Sequence, residues 1–343
     1  MQSLQSVSAR ERGRVLRRPY RIPFLMYGML SVCLGLIMYL FGVLLVFPRY
    51  LLGLNAVLLP INEWIVWYSG VPIMGGFALA LGDLLFLFRI KRRHNRLRVD
   101  DIGNLGLTVA LTAYNDEESI SSAVSDFLSH PMVRRVIVVS NNSVDATFER
   151  AVTAGAITVN ETTPGYGRCV YRCLTEALKY DDTELIVLCE GDRTFRAFDI
   201  DKLVAFAPHA EVVNGTRTVE GLRQYSTQLS TLMYYGNLFV GKLLEAKHLG
   251  RSTITDVGTT YKLCRKSALT QLLPQLCSAV NLEFNAHFLD RALEIGLTVV
   301  ECPFTFHERV GVSKGGNTSD LRALKVGSRM MIGIIFGWRW LAR

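Results

Sequence analysis

The sequence predicts an α/β protein: a doubly wound, mostly parallel sheet preceded by an N-terminal hairpin of two membrane-spanning helices. Three observations predict it. From residue 107 onward, short β-rich runs alternate with helical stretches, the order of a parallel sheet with crossover helices. Before residue 107 lie two long apolar runs. Basic residues cluster at the outer ends of those runs.

Residues 24–47 form an uncharged run of 24, about 36 Å as a helix and enough to span the hydrocarbon core. A second run, 64–88, is interrupted by Asp83 near its end. A cleaved signal peptide is the competing reading of the first run. The run is too long for one, lacks a small-residue cleavage site and is followed by a second span. Of the formal net charge of +8, residues 1–23 contribute +5 and residues 89–98 contribute +6. The loop between the runs holds Arg49 as its basic residue. The positive-inside rule therefore predicts a multi-pass protein with both ends cytosolic, at a bacterial inner membrane or the cytosolic face of the endoplasmic reticulum. Trp64, Trp67 and Tyr68 suit the far interface, and Asp83 is expected to reach the headgroups. Residues 99–343 sum to −2, which excludes a basic nucleic-acid face on the folded domain. The seven cysteines contain no Cys-x-x-Cys pair, so neither a disulfide framework nor a zinc module is encoded and a reducing compartment is expected.

In the domain, strands are predicted at 107–114, 133–140, 156–160, 184–190 and 210–215, with helices at 118–129, 145–154 and 168–180, the last entered through the turn Pro164-Gly165-Tyr166-Gly167. Ligands of such sheets bind outside the carboxyl ends of the strands. Polar clusters stand at those ends: 114–117, 140–145 and 190–192. The two carboxylates of Glu190-Gly191-Asp192 follow a very apolar strand. They suit a hard divalent cation, magnesium or manganese, which takes oxygen ligands and keeps positions open for phosphates. The six histidines have no metal-ligand spacing, and no P-loop, nucleophile elbow or full dinucleotide fingerprint occurs.

In this order, the segments AYNDEE, SNNSVDAT, PGYGRCVYRCLTEAL, EGD, NGTR, TDVGTTYKLCRKSAL and ECPFTFHERVGVSKGG resemble glycosyltransferase family 2, and within it the dolichol- or polyprenyl-phosphate mannosyltransferase type. The resemblance covers residues 107–316. Two positions depart from it: Ser140 stands where the family's second motif opens with Asp, and Glu190 replaces the first Asp of its metal motif.

The resemblance implies a GT-A-like fold and inverting transfer of a sugar from a nucleotide-diphosphate donor to a lipid phosphate at the bilayer. It implies that Asp192, helped by Glu190, holds the metal on the donor diphosphate. It places Ala113, Tyr114, Glu117, Asn141, Gly165 and Arg168 around the nucleotide sugar. Arg217, Arg309, Ser313 and Lys314 match positions that orient an acceptor phosphate, which is already anionic and needs cations more than a base. Asp256 and Glu283 are further candidate catalytic acids; one of them would serve as base were the acceptor a hydroxyl. Other readings stay open: transfer to a hydroxyl of a lipid-linked glycan or polysaccharide, a sugar-phosphate nucleotidyltransferase, or an inactive membrane scaffold.

The expected organisation is a basic N-terminus (1–23), the hairpin (24–88), a basic juxtamembrane linker (89–106), the transferase domain (107–316) and a C-terminal segment (317–343). In that last segment residues 325–343 mix Met, Ile, Phe and Trp with basic residues, the composition of an interfacial helix too short to span a bilayer. Sequence leaves the oligomeric state open.

Overall fold

A computed structural model of the protein describes residues 22–87, 98–102, 106–227, 229–311 and 319–340. Most of the two basic blocks, together with Ser313 and Lys314, lies outside the described residues. The chain forms two compact units: a helical one containing 22–87, to which Ala246–Gly250 also belong, and an α/β one containing 98–245 and the residues from Arg251 onward.

The helical unit consists of α1 (Phe24–Leu44), the short α2 (Val46–Leu51) and α3 (Asn55–Gly82), which ends in a π turn, Asp83–Leu87. Two continuous stretches, Phe24–Leu51 and Asn55–Phe86, are long and apolar enough to cross a membrane. The second starts well before residue 64, because Asn62 is a buried packing residue that lies against α1. Gly28, Gly35 and Gly42 repeat at seven-residue spacing on the contact face. A Cβ at Gly28 would stand 2.6 Å from the Gly76 carbonyl, and one at Gly35 2.7 Å from the Ser69 carbonyl. Small residues of this kind let apolar helices approach at backbone distance. Asp83 does not reach outward as expected. It is buried, and its Oδ2 accepts from the Leu25 amide at 2.8 Å, one of the first-turn donors that α1 cannot satisfy itself.

Among the described residues of the α/β unit, seven strands form one sheet in the order β3-β2-β1-β4-β6-β5-β7. They are β1 (Leu107–Ala113), β2 (Val133–Ser140), β3 (Ile157–Asn160), β4 (Leu185–Glu190), β5 (Val212–Thr216), β6 (Lys262–Arg265) and β7 (Val299–Pro303). All pairings are parallel except those of β6, which runs antiparallel to both β4 and β5. The five strands read from sequence are present with ends shifted by one or two residues. Sequence missed β6 and β7: each is short, and the Lys262 and Arg265 of β6 hide its apolar character. Helices α4 (Ile120–Leu128), α5 (Thr147–Thr153), α6 (Tyr166–Ala177), α7 (Ile200–Phe206), α8 (Thr231–Lys247), α9 (Lys266–Leu272) and α10 (Phe284–Ile295) follow. Every residue of β1 is buried, as expected of a central parallel strand covered on both faces.

The chain leaves β1 toward β2 on one side and returns to β4 on the other, so the crevice of the sheet opens between the carboxyl ends of β1 and β4. Gly191 donates its amide to the Thr112 carbonyl at 2.9 Å, and a Cβ there would meet Ile120 Cδ1 at 2.6 Å. Gly167 is tighter still, since a Cβ would fall 1.7 Å from the Val280 carbonyl oxygen.

The C-terminal helix α11 (Asp320–Phe336) begins earlier than the segment picked out by composition, capped by Ser319 Oγ on the Arg322 amide. Met330, Gly333 and Ile334 are buried, and Trp338 folds under the helix end with Nε1 donating to Asp290 Oδ2 at 2.7 Å. Its other side leaves Leu321, Leu324, Ile332 and Phe336 exposed.

Gly167→Ala must push α6 off the 280 carbonyl. It should cost about 1–3 kcal/mol or more, read as a lowered unfolding midpoint in detergent. Gly70→Ala, where nothing stands within 4 Å of the added Cβ, should leave the midpoint unchanged.

Candidate active site

The crevice is a cavity of about 940 Å³. Its floor is made of strand ends: Thr112 and Ala113 of β1, Glu190 and Asp192 after β4, and Arg217 after β5. One end is closed by Asn141 and the Gly turn Pro164–Tyr166. Two helices make the remaining walls, α8 with Leu232, Tyr235 and Phe239, and α11 with Leu324, Met330 and Met331.

At the Gly turn, Asn141 holds the backbone. Its Oδ1 accepts from the Gly165 amide at 2.9 Å and its Nδ2 donates to the Thr163 carbonyl at 3.0 Å. Gly165 has φ +138°, a conformation costly for a side-chain-bearing residue, and its neighbour's amide, Tyr166 N, donates to Asn281 Oδ1 at 2.7 Å. Ser140 is buried and donates to Ser143 Oγ at 2.9 Å, so the departure from Asp is absorbed by a neutral hydroxyl pair.

The acids sit at the β1 and β4 ends. Asp192 is 1% exposed. Its Oδ1 is tied by the Thr194 amide at 3.0 Å and hydroxyl at 2.6 Å, while Oδ2 accepts no hydrogen bond and lies 3.0 Å from Arg309 Nη1. Glu190 is half-buried beside it, with Oε1 accepting from Thr260 Oγ1 at 2.6 Å. Burial and the adjacent Asp192 charge push the Glu190 carboxyl up to about 7. Arg309 Nη2 also donates to Asp116 Oδ1 at 3.0 Å. The guanidinium expected on an acceptor phosphate thus bridges two carboxylates from different strand ends. It is held there by the Val310 amide on the Asp192 carbonyl and the His307 amide on that of Thr194.

A second cluster lies at the β5 end. Arg217 grips Asp256 in a two-pronged pair, Nε to Oδ2 at 2.6 Å and Nη2 to Oδ1 at 2.8 Å. Burial alone would raise the Asp256 carboxyl, but the Arg217 guanidinium and the amides of Arg217 and Gly258 hold it below the usual aspartate value. Underneath, Glu301 of β7 accepts from the Thr255 and Asp256 amides at 2.8 and 3.0 Å and fixes the loop that carries Asp256.

Ala113, Tyr114, Asn141, Gly165, Glu190, Asp192, Arg217 and Arg309 line the cavity together. Glu117, Arg168, Asp256 and Glu283 are not among its lining residues. Glu117 accepts from the Ala146 amide at 3.2 Å. Glu283, at the start of α10, is buried against Arg329 of α11 at 2.6 Å, a strut between two helices. Sequence missed Asp116, Tyr166, Thr260, Asn281 and Asn285 as site residues. The spacing of the two asparagines, four apart at a helix start, was the one visible signal.

Among the described residues no group of three or more His, Cys, Asp or Glu surrounds a metal position. The oxygens of Glu190 and Asp192 nevertheless fit one. They are hard donors, Asp192 Oδ2 is buried and without a hydrogen bond, and two protein ligands leave the remaining positions to phosphate oxygens.

Arg217→Ala leaves Asp256 charged, buried and unpaired, and should cost about 3–5 kcal/mol. Asp256→Ala should cost a similar amount, and the double variant clearly less than the sum, in a double-mutant cycle of denaturant midpoints.

No family model matches this chain. An uncharacterized glycosyltransferase of Mycobacterium tuberculosis is 30% identical over 208 residues, 60% of this chain and 87% of that protein. A dolichyl-phosphate hexose transferase of Haloferax volcanii is 26% identical over 209 residues, 61% of this chain and 86% of that protein. A crystal structure of a mycobacterial protein shares the fold at a TM-score of 0.51 and 17% identity, over 67% of this chain and 75% of that one. With the ordered strand-end motifs and the acid pair at the β1–β4 crevice, these likenesses establish that the chain belongs to the glycosyltransferases, in the GT-A-fold group that resembles family 2.

Proposed function

We propose that the protein transfers a sugar from a nucleotide-diphosphate sugar to the phosphate of a polyprenyl or dolichyl phosphate, at the cytosolic surface of the membrane that its two apolar helices cross. One observation carries this reading: a floor of acids and largely enclosed arginines opens between walls of Leu, Met, Tyr and Phe from α8 and α11. An acceptor with a charged head and a hydrocarbon tail fits both parts. The Haloferax relative, by its name, acts with dolichyl phosphate.

The donor diphosphate belongs at Glu190 and Asp192, which would hold a magnesium or manganese ion. Bound there, the ion would neutralise the charge that grows on the departing diphosphate. Asn141 and the Gly turn form the end of the cavity suited to the nucleoside. Arg309, already poised between Asp116 and Asp192, is in position to turn toward the diphosphate as those acids are neutralised.

Transfer is a single displacement. An acceptor phosphate oxygen forms the new bond to the anomeric carbon as the bond to the diphosphate oxygen breaks, and the sugar inverts. The nucleophile is anionic at neutral pH, with a second pKa of about 6, so no base is needed. The site fits this. Asp256, a candidate base for a hydroxyl acceptor in the sequence, is outside the cavity lining, locked on Arg217 and held more acidic than usual. Arg217 itself offers a buried guanidinium at the cavity wall to position an oxyanion.

Membranes carrying the protein, given polyprenyl phosphate and a panel of nucleotide sugars, should yield a sugar–phosphate–lipid product identified by mass. Product only with hydroxyl acceptors would overturn the reading. Asp192→Ala should lower transfer about a thousandfold under saturating metal. The rate at low acceptor should fall as pH drops below about 6, where the acceptor loses its second charge. Asp256 stays ionised below the ordinary 3.8, so its folded-state contribution persists through this window and Asp256→Asn should not move that limb.

A further inference from the structure

Glu190 is one methylene longer than an aspartate, and the structure shows where the extra reach goes. In the antiparallel β4–β6 ladder Leu188 stands opposite Lys262, so two residues further on Glu190 stands opposite Thr260. Because β6 runs antiparallel, the residues that lead into it lie beside the carboxyl end of β4. The Thr260 hydroxyl donates to Glu190 Oε1 at 2.6 Å. Its proton is thereby spent, and it accepts from Tyr166 Oη at 2.5 Å. Tyr166 Oη in turn accepts from Asn285 Nδ2 at 3.0 Å.

The direction of this chain is fixed at its far end. Asn285 Nδ2 also faces the Gly258 carbonyl at 3.0 Å, which only accepts, and Asn285 Oδ1 faces Lys262 Nζ at 3.4 Å, which has protons to donate. The amide cannot be turned round without breaking both contacts. Every proton from Asn285 to Thr260 therefore points toward Glu190. Thr260 and Asn285 are buried, and Tyr166 lines the cavity. Asp192 shows the same device in shorter form: Thr194 ties Oδ1 and leaves Oδ2 without a hydrogen bond.

We infer that Thr260, Tyr166 and Asn285 are positioning residues for the donor step: a one-way hydrogen-bond chain that pins one oxygen of Glu190 so that its other oxygen faces the cation on the donor diphosphate. The inference rests on the proposed role of Glu190 and Asp192 as the metal-holding pair. Partners of this kind that orient a metal ligand are worth about 10–100-fold in metal affinity. The chain also accounts for a glutamate in the motif, because an aspartate carboxylate would end a methylene short of the threonine.

The test is manganese binding, read by electron paramagnetic resonance on the detergent-solubilised full chain with saturating uridine diphosphate or guanosine diphosphate, whichever binds more tightly. Thr260→Val removes the hydroxyl at nearly constant volume and should weaken manganese binding at least about tenfold. Thr260→Ser should restore it, and metal-free nucleotide binding should not change in either variant. Should Thr260→Val fail to fold, Tyr166→Phe replaces it and should shift affinity in the same direction. Wild-type manganese affinity in the folded Thr260→Val or Tyr166→Phe protein, with Glu190→Gln weakened, would overturn the positioning role alone. Unchanged affinity in Glu190→Gln and Asp192→Asn as well would overturn the metal-pair reading and this inference together.

Discussion

Three carboxylates, the buried Asp116 and Asp192 and the half-buried Glu190, are brought to the carboxyl ends of two adjacent parallel strands, and the molecule must supply a cation to them. Like charges that close cannot all ionise without help, and the high Glu190 value registers that cost. Within the protein the help comes from Arg309, which spans two of the three acids. The rest of the site can be read as a means of holding this arrangement. Gly191 permits the turn between the acids, and threonines pin one oxygen of each member of the pair. The 307–310 segment is hydrogen-bonded back onto 192–194 so that the arginine arrives where it is needed. A cavity with three acids on its floor is suited to a substrate whose phosphates are bound through a cation.

The second organising feature is the reversed strand β6. It separates the parallel block β3-β2-β1-β4 from the parallel pair β5 and β7, and it carries the segment 256–260 back over the crevice. From that segment come Asp256, which holds Arg217, and Thr260, which holds Glu190. One antiparallel strand thus connects the donor-side acids to the cation proposed for the acceptor. Lys262 lies deep behind both, with burial pulling its ammonium down to about 7. A lysine there serves as a hydrogen-bond donor to Thr259 and Asn285 more readily than as a surface charge.

Two helices wall the cavity with apolar side chains. α8 and α11 present apolar and aromatic side chains inward while α11 also buries Trp338 against α10. Glu283 and Arg329 tie the same pair of helices, which explains why an acid that resembled a catalytic one serves as a strut. In the helical unit, glycines at seven-residue spacing and Asp83, which follows α3 and caps the first turn of α1, give two apolar helices a close and directional contact.

Wherever local physics decides, the sequence was sufficient. Two long apolar runs, the first uncharged and the second broken only by Asp83, read as apolar helices, and alternation of apolar runs with amphipathic helices indicated the wound sheet. Polar residues directly after apolar strands marked the crevice, because parallel topology places ligands there. Asn141, Glu190 and Asp192 were visible for that reason, while Gly165, Arg217 and Arg309 came from the resemblance of the ordered motifs. Residues whose role depends on a partner far along the chain were hidden. Thr260 matters because an antiparallel strand sets it opposite Glu190, 70 residues earlier, and Asp256 is a clamp because Arg217 approaches from another strand. β6 and β7 themselves were lost because strands of four and five residues, the first carrying two cations and the second a glutamate, have no periodicity to betray them. Tertiary structure alone decided which acids face the cavity and which are spent on arginines, since charge pairing is set by proximity in space and leaves no local pattern in the chain.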